Sequence, residues 1–103
     1  MQSKYDLISI GDTTIDVFLE LDPQEANSVC RIDEEKCVVE FDFGAKVPVA
    51  KMTRLAAVGN AANNAIGSVR LGLKTAIFTI TGSDQDSQET KNVLDEEDVS
   101  TEF

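Results

Sequence analysis

Histidine and tryptophan are absent from this sequence, and only two cysteines and two prolines occur in its 103 residues. Without histidine there is no Ser-His or Cys-His nucleophile and no His-ligated zinc. Acid–base chemistry therefore falls to carboxylates or to groups outside the chain. Two thiols cannot close a four-ligand zinc site. Cys30 and Cys37 are spaced so that a hairpin brings them near each other, yet the expected state is two reduced cysteines in or beside a small sheet, because cytosolic disulfides are rare. Basic residues are also few: nine Lys and Arg stand against nineteen Asp and Glu, a formal charge of −10. The basic residues are scattered, so no stripe offsets a field that repels phosphate backbones and anionic membranes. Neither nucleic acid nor a membrane is an expected partner. No apolar leader opens the chain and no run of 18 apolar residues occurs, so the expected location is the cytoplasm.

The nucleotide-binding glycine patterns are missing as well. There is no G-x-x-x-x-G-K-[ST] and no G-x-G-x-x-G. Gly82-Ser83-Asp84 is a generic turn, and Lys46 after Gly44 reads as a solvated loop lysine.

What the chain does contain is a 42% hydrophobic composition, enough for one domain with a modest core. Tyr5–Ile10 alternates and is rich in branched residues, which predicts a first strand. Gly11-Asp12 interrupts it, and Ile15–Leu21 continues as extended structure until Asp22-Pro23 breaks the ladder. Gln24–Glu35 reads as a loop or hairpin turn with a short strand near Val29–Ile32, and Cys37–Phe43 as another strand ended by Gly44. Pro48 falls in the connection that follows. From Gly59 the period changes. Ala62, Ala65, Ile66 and Val69 recur at helical spacing, Arg70 suits the C-terminal end of the dipole, and Gly72 sits at the place of a glycine cap. Thr75–Ile80 is a short apolar strand, Gly82–Asp84 a turn and N-cap, and Ser87–Glu96 a second helix. Strand, helix, strand, helix is the opening of an open α/β sheet.

Two polar clusters stand out. Gly59 allows close approach of backbone to ligand, and Asn60 and Asn63 bring both donors and acceptors to a helix N-terminus whose amides are free. Such a set suits a polyhydroxylated ligand. The competing reading is that the asparagines cap the helix. Asn60 alone suffices for that, whereas Asn63 and Asn64 lie further inside, where asparagine is a mediocre helix former. The second cluster, Gly11-Asp12-Thr13-Thr14-Ile15-Asp16, follows a strand directly and so lies at the carboxyl edge where open α/β sheets bind ligands. An Asx-turn at Asp12 is the structural alternative; it leaves Asp16, inside an extended apolar segment, unaccounted for.

Taken in order, these features resemble the PfkB, or ribokinase-like, family of carbohydrate and nucleoside kinases. Gly11 and Asp16 match the family's Gly-x-x-x-x-Asp after the first strand. Val58-Gly59-Asn60-Ala61-Ala62-Asn63 matches its Gly-Gly-x-x-x-Asn helix start, Leu71-Gly72 its Leu-Gly, and Gly82-Ser83-Asp84 the start of its Gly-x-Asp-x-x-Gly. The chain departs from the pattern at Val58 and Ser87, where the family has glycine, and at Thr14, where ribokinases proper carry a sugar-binding asparagine. The resemblance implies a three-layer α/β/α (Rossmann-like) core with a small β lid inserted at about residues 17–50. It implies phosphoryl transfer from ATP, with Mg2+, to a hydroxyl of a sugar, sugar phosphate or nucleoside. Asp16, Gly59, Asn60, Asn63 and Thr14 would hold substrate, and the lid would exclude water and form a homodimer contact. The family's Asp-Thr-x-Gly-Ala-Gly-Asp segment, with its catalytic base and anion hole, has no counterpart here, and neither has its ATP pocket. The expectation is thus the N-terminal, substrate-binding part of such a kinase, with no catalytic, cofactor or metal residue of its own. The alternatives are a stand-alone, catalytically inactive polyol-binding module and an inert truncated product.

Overall fold

The computed structural model describes residues 3–22, 24, 27–31 and 36–103. Pro23, and Ile32 at the end of the expected third strand, lie outside the described residues. The elements in chain order are β1 (Leu7–Ile10), β2 (Thr14–Leu21), β3 (Asn27–Arg31), β4 (Lys36–Glu40), β5 (Val49–Val58), α1 (Asn60–Arg70), β6 (Thr75–Phe78) and α2 (Gln85–Glu96). The fold is mixed α/β. It divides into two compact units, one of residues up to Asp16 together with Arg54–Phe103, the other Val17–Thr53.

In the first unit β1 and β6 are parallel, Leu7 opposite Thr75 and Ile10 opposite Phe78. Ser100 bridges in parallel to Ala76 on the other side of β6, with Ile77 N donating to Ser100 O at 3.0 Å. β6 is therefore the central line of a parallel sheet, which explains why Ala76 and Ile77 are almost wholly buried. Successive strand residues face opposite sides. Ser9 and Ile77 point to the side that α1 and α2 cover, where Ala61, Ala62, Ala65, Ile77, Leu94 and Val99 form the core. Alanines on α1 let the helix lie close to the sheet; a Cβ at Gly11 would come within 3.3 Å of the Ala61 Cβ. The opposite side presents Ile8, Ile10 and Phe78, at 45%, 75% and 46% exposure.

The end of α1 is fixed by backbone geometry. Gly72 has φ 96°, Leu73 N donates to Ser68 O at 3.1 Å and Gly72 N to Val69 O at 2.8 Å. This pair of bonds is the Schellman motif, which asks for glycine at that position. Arg70 in the last turn donates through Nε to Glu97 at 2.9 Å.

In the second unit β3 and β4 form an antiparallel hairpin in which Cys30 is directly opposite Cys37. Cys37 is disulfide-bonded. The expectation of reduced thiols is thereby corrected: antiparallel register brings opposed Cα atoms within disulfide range. β2 pairs with β5, and both strands run across the division between the units. The segment Val49–Val58 carried no strand expectation, yet it is the longest strand described. Its residues VAKMTRLAAV include Ala, Lys, Met, Arg and Leu, all better helix formers than strand formers, so its conformation comes from pairing with β2.

Candidate functional site

The turn Gly11–Thr13 carries the chain from the carboxyl end of β1 into β2 and lies against the first residues of α1. The Asp12 carbonyl accepts from Ala61 N at 3.1 Å, and the Thr13 hydroxyl donates to Val58 O at 3.1 Å. Gly59 is held between them with φ 91°. A Cβ there would lie 3.2 Å from both the amide nitrogen and the hydroxyl of Thr14 and 3.3 Å from Asp12 O. Both the left-handed backbone and the space exclude a side chain at this position.

Gly59 itself is the N-cap of α1, with no side-chain capping bond and no acidic residue in the first turn. The possibility that Asn60 caps the helix is thereby corrected. Asn60 is one residue too far along, and Asp12 O supplies one of the acceptors that a cap would otherwise provide. Asn60 and Asn63 are exposed, and no described residue hydrogen-bonds to either side chain. Asn64 behaves differently. Its amide donates to Ser9 Oγ at 3.1 Å, and the buried Ser9 hydroxyl donates to Ala61 O at 2.9 Å. Of the three asparagines, Asn64 is a structural bond to β1, while Asn60 and Asn63 leave their amides to solvent.

Thr14 and Asp16 lie two residues apart on β2 and so share one face of the strand. Thr14 is in contact range of the α1 start through its approach to Gly59. The structure thus brings Thr14, Gly59 and the first turn of α1 together and sets Asp16 on the same strand face as Thr14. A cavity of about 410 Å³ adjoins the start of β2; Thr13, Thr14, Ile15, Thr81, Ser87 and Thr90 are among the residues that line it.

The α2 end of that cavity is electrostatically closed on itself. Asp84 accepts from Ser87 N at 3.0 Å and Ser87 Oγ at 2.7 Å. Those bonds, the side-chain one first, hold its carboxyl below the ordinary value of 3.8. Arg54 on β5 reaches Asp86 at 2.7 Å and Glu89 at 3.3 Å. Sequence reasoning passed over Arg54 and Thr90, because the ion pairs of Arg54 and the burial of Thr90 come from elements distant in the chain and stand in no local pattern. Among the described residues no three His, Cys, Asp or Glu groups are placed to hold a metal ion, and no helix is long and apolar enough to cross a membrane.

No family model matches this chain, and no curated protein or solved structure matches it.

Proposed function

We propose that this chain is the substrate-binding, N-terminal part of a ribokinase-like kinase that phosphorylates a hydroxyl of a sugar or nucleoside. The observation that carries the reading is the uncapped start of α1 at Gly59, pressed against Thr14 with Asp16 on the same strand face. Such an arrangement offers backbone amides and two free carboxamides at the sheet's carboxyl edge, the usual ligand position in open α/β sheets, with the Asp16 carboxylate two residues along β2 from Thr14. Asp16 accepts hydrogen bonds from neighbouring substrate hydroxyls. Asn60 and Asn63 donate and accept, and Gly59 lets the ligand approach the backbone. Holding the hydroxyl in this way supplies the positioning part of catalysis.

In the full reaction, ATP with Mg2+ would supply the phosphoryl group. The described residues offer neither a phosphate-cradling glycine loop nor a metal-ligating cluster, so no step is assigned to this chain beyond binding and orientation. The finer fold reading is a three-layer core, in which a second helical layer covers Ile8, Ile10 and Phe78. Parallel sheets are almost always covered on both faces, and these exposed side chains favour that arrangement. The unit Val17–Thr53 would be the lid. Its Phe18, Leu19 and Val39 are more than half exposed, a surface suited to a homodimer contact.

Calorimetric titration of the chain with D-ribose, D-fructose and adenosine tests the reading. At least one is expected to bind, and Asp16→Asn and Asn63→Ala are each expected to weaken it about tenfold, the loss of a hydrogen bond to a charged or well-placed group. Binding of none of the three, or unchanged affinity in both variants, sinks the proposal. Phosphorylation of a sugar by these residues with ATP and Mg2+ would overturn the statement that the catalytic base lies elsewhere.

A further inference from the structure

Thr90 lies in the second turn of α2 at 5% exposure. Its neighbours along the helix are polar, Gln88, Glu89, Lys91 and Asn92, so its burial comes from the fold and not from local pattern. No hydrogen bond joins its hydroxyl to any described residue, and no buried side-chain oxygen or nitrogen is sealed off without a partner. The Thr90 hydroxyl therefore opens onto free space. Thr90 lines two cavities, the one of about 410 Å³ that includes Thr13 and Thr14 and a neighbouring one of about 320 Å³ bounded by Leu94 and Phe103. The first falls within the range usual for small-molecule sites.

The carboxylates nearest Thr90 in the chain are already engaged. Asp84 holds Ser87, and Asp86 holds Arg54. Thr81 makes one long bond to Gly82 O, at 3.4 Å. A ligand oxygen entering from the Thr14 side would thus meet an unpartnered hydroxyl on a residue that is otherwise buried. The charge of that wall also selects. Asp84 and Asp86 both line the cavity, and the chain as a whole carries −10. A phosphate group would be repelled there, whereas an uncharged hydroxyl is not.

We infer that Thr90 is a second ligand contact, bonding a hydroxyl of an uncharged polyol or nucleoside at the α2 end of the cavity that Thr14 borders. The inference rests on the substrate-site reading above and adds to it that a sugar phosphate is not the substrate.

The test uses the 103-residue chain with 13C-labelled threonine methyls, titrated with D-ribose, adenosine and D-ribose 5-phosphate. The methyl resonances of Thr90 and Thr14 are expected to move together with the probe that binds. Thr90→Val is expected to weaken that probe about 3- to 10-fold, the worth of one neutral hydrogen bond, and Thr90→Ser to restore it to within about twofold. Because the hydroxyl has no protein partner to lose, Thr90→Val should melt at or above the temperature of the parent chain. Should the Thr90 methyl stay still and Thr90→Val bind as the parent does, while Asp16→Asn still loses affinity, this inference fails and the substrate site stands. Tighter binding of D-ribose 5-phosphate than of D-ribose overturns the uncharged class. Binding of no probe by the parent chain removes the substrate site and this contact with it. The methyl titration needs no variant, so a Thr90→Val chain that failed to fold would leave the test intact.

Discussion

The two helices of the first unit begin in opposite ways. α2 starts at Asp84, whose carboxylate takes the Ser87 amide and hydroxyl, and Asp86 adds a negative charge to the first turn. α1 starts at Gly59, with neither a side-chain cap nor an acidic residue. Helix starts leave several amides without partners. At α2 the acceptor for one of them is the side chain of the capping residue itself. At α1 the chain supplies only the Asp12 carbonyl, and the neighbouring Asn60 and Asn63 side chains add further unpaired groups. The difference shows which helix end is closed by a side chain and which is not. A helix end finished by its own side chains has a structural task, and one left open beside a tight glycine contact has room for something else.

That comparison can be broken by substitution, and the largest effect is expected at Gly59. Gly59→Val forces a β-branched residue into a left-handed backbone and against Thr14 and Asp12. A loss of about 3 kcal/mol in urea unfolding is expected; a variant as stable as the parent would remove the argument that glycine is required there. Next comes Ser9, where Ser9→Ala removes the hydroxyl that donates to the Ala61 carbonyl and accepts from the Asn64 amide. About 1–2 kcal/mol is expected, and a negligible change would mean that Asn64 is as free as Asn63.

At α2, Asp84→Ala removes the cap and should lower Tm by a few degrees. The sign of its pH dependence follows from the depressed folded value. The stabilisation is complete above the ordinary value of 3.8 and is lost as pH falls through the lower folded one. The gap in Tm between the parent and Asp84→Ala should therefore narrow below pH 3.8; a gap that widened would contradict the hydrogen-bond assignment. The smallest effect belongs to Asn60→Ala and Asn63→Ala, whose exposed side chains bond nothing in the protein. Their stabilities should stay within about 0.5 kcal/mol of the parent by urea unfolding, while binding of a polyol suffers.

Much of the first unit was legible in the sequence because local pattern and final fold agree there. The spacing of Ala62, Ala65, Ile66 and Val69 places α1, and Gly72 ends it through a motif that requires glycine. Thr75–Phe78 forms a strand within the expected Thr75–Ile80, shortened because the ladder with β1 ends opposite Ile10. Illegible features were those settled by distant partners. β5 has the composition of a helix and is a strand because β2 pairs with it. Gly59 displaces Asn60 as the cap because Asp12 and Thr14, some 45 residues earlier, fill the space that a side chain would need. Asn64 looked like a third ligand group until Ser9 claimed it, and Thr90 looked like any polar helix residue until the sheet buried it. The disulfide at Cys37 depends on a register that two cysteines in a polar stretch do not specify.

The parallel pairing of β1 with β6 has a kinetic consequence. Lys74 N donates to Asp6 Oδ2 across a separation of 68 residues, so the first and central strands of the sheet meet only after a long loop has closed. That closure costs on the order of 4 kcal/mol in chain entropy, before the contacts it allows can offset it. The hairpin of β3 and β4 and the segment from α1 through α2 involve only short separations, and they can form first. The hairpin then shortens the effective loop that the pairing of β1 with β6 has to close.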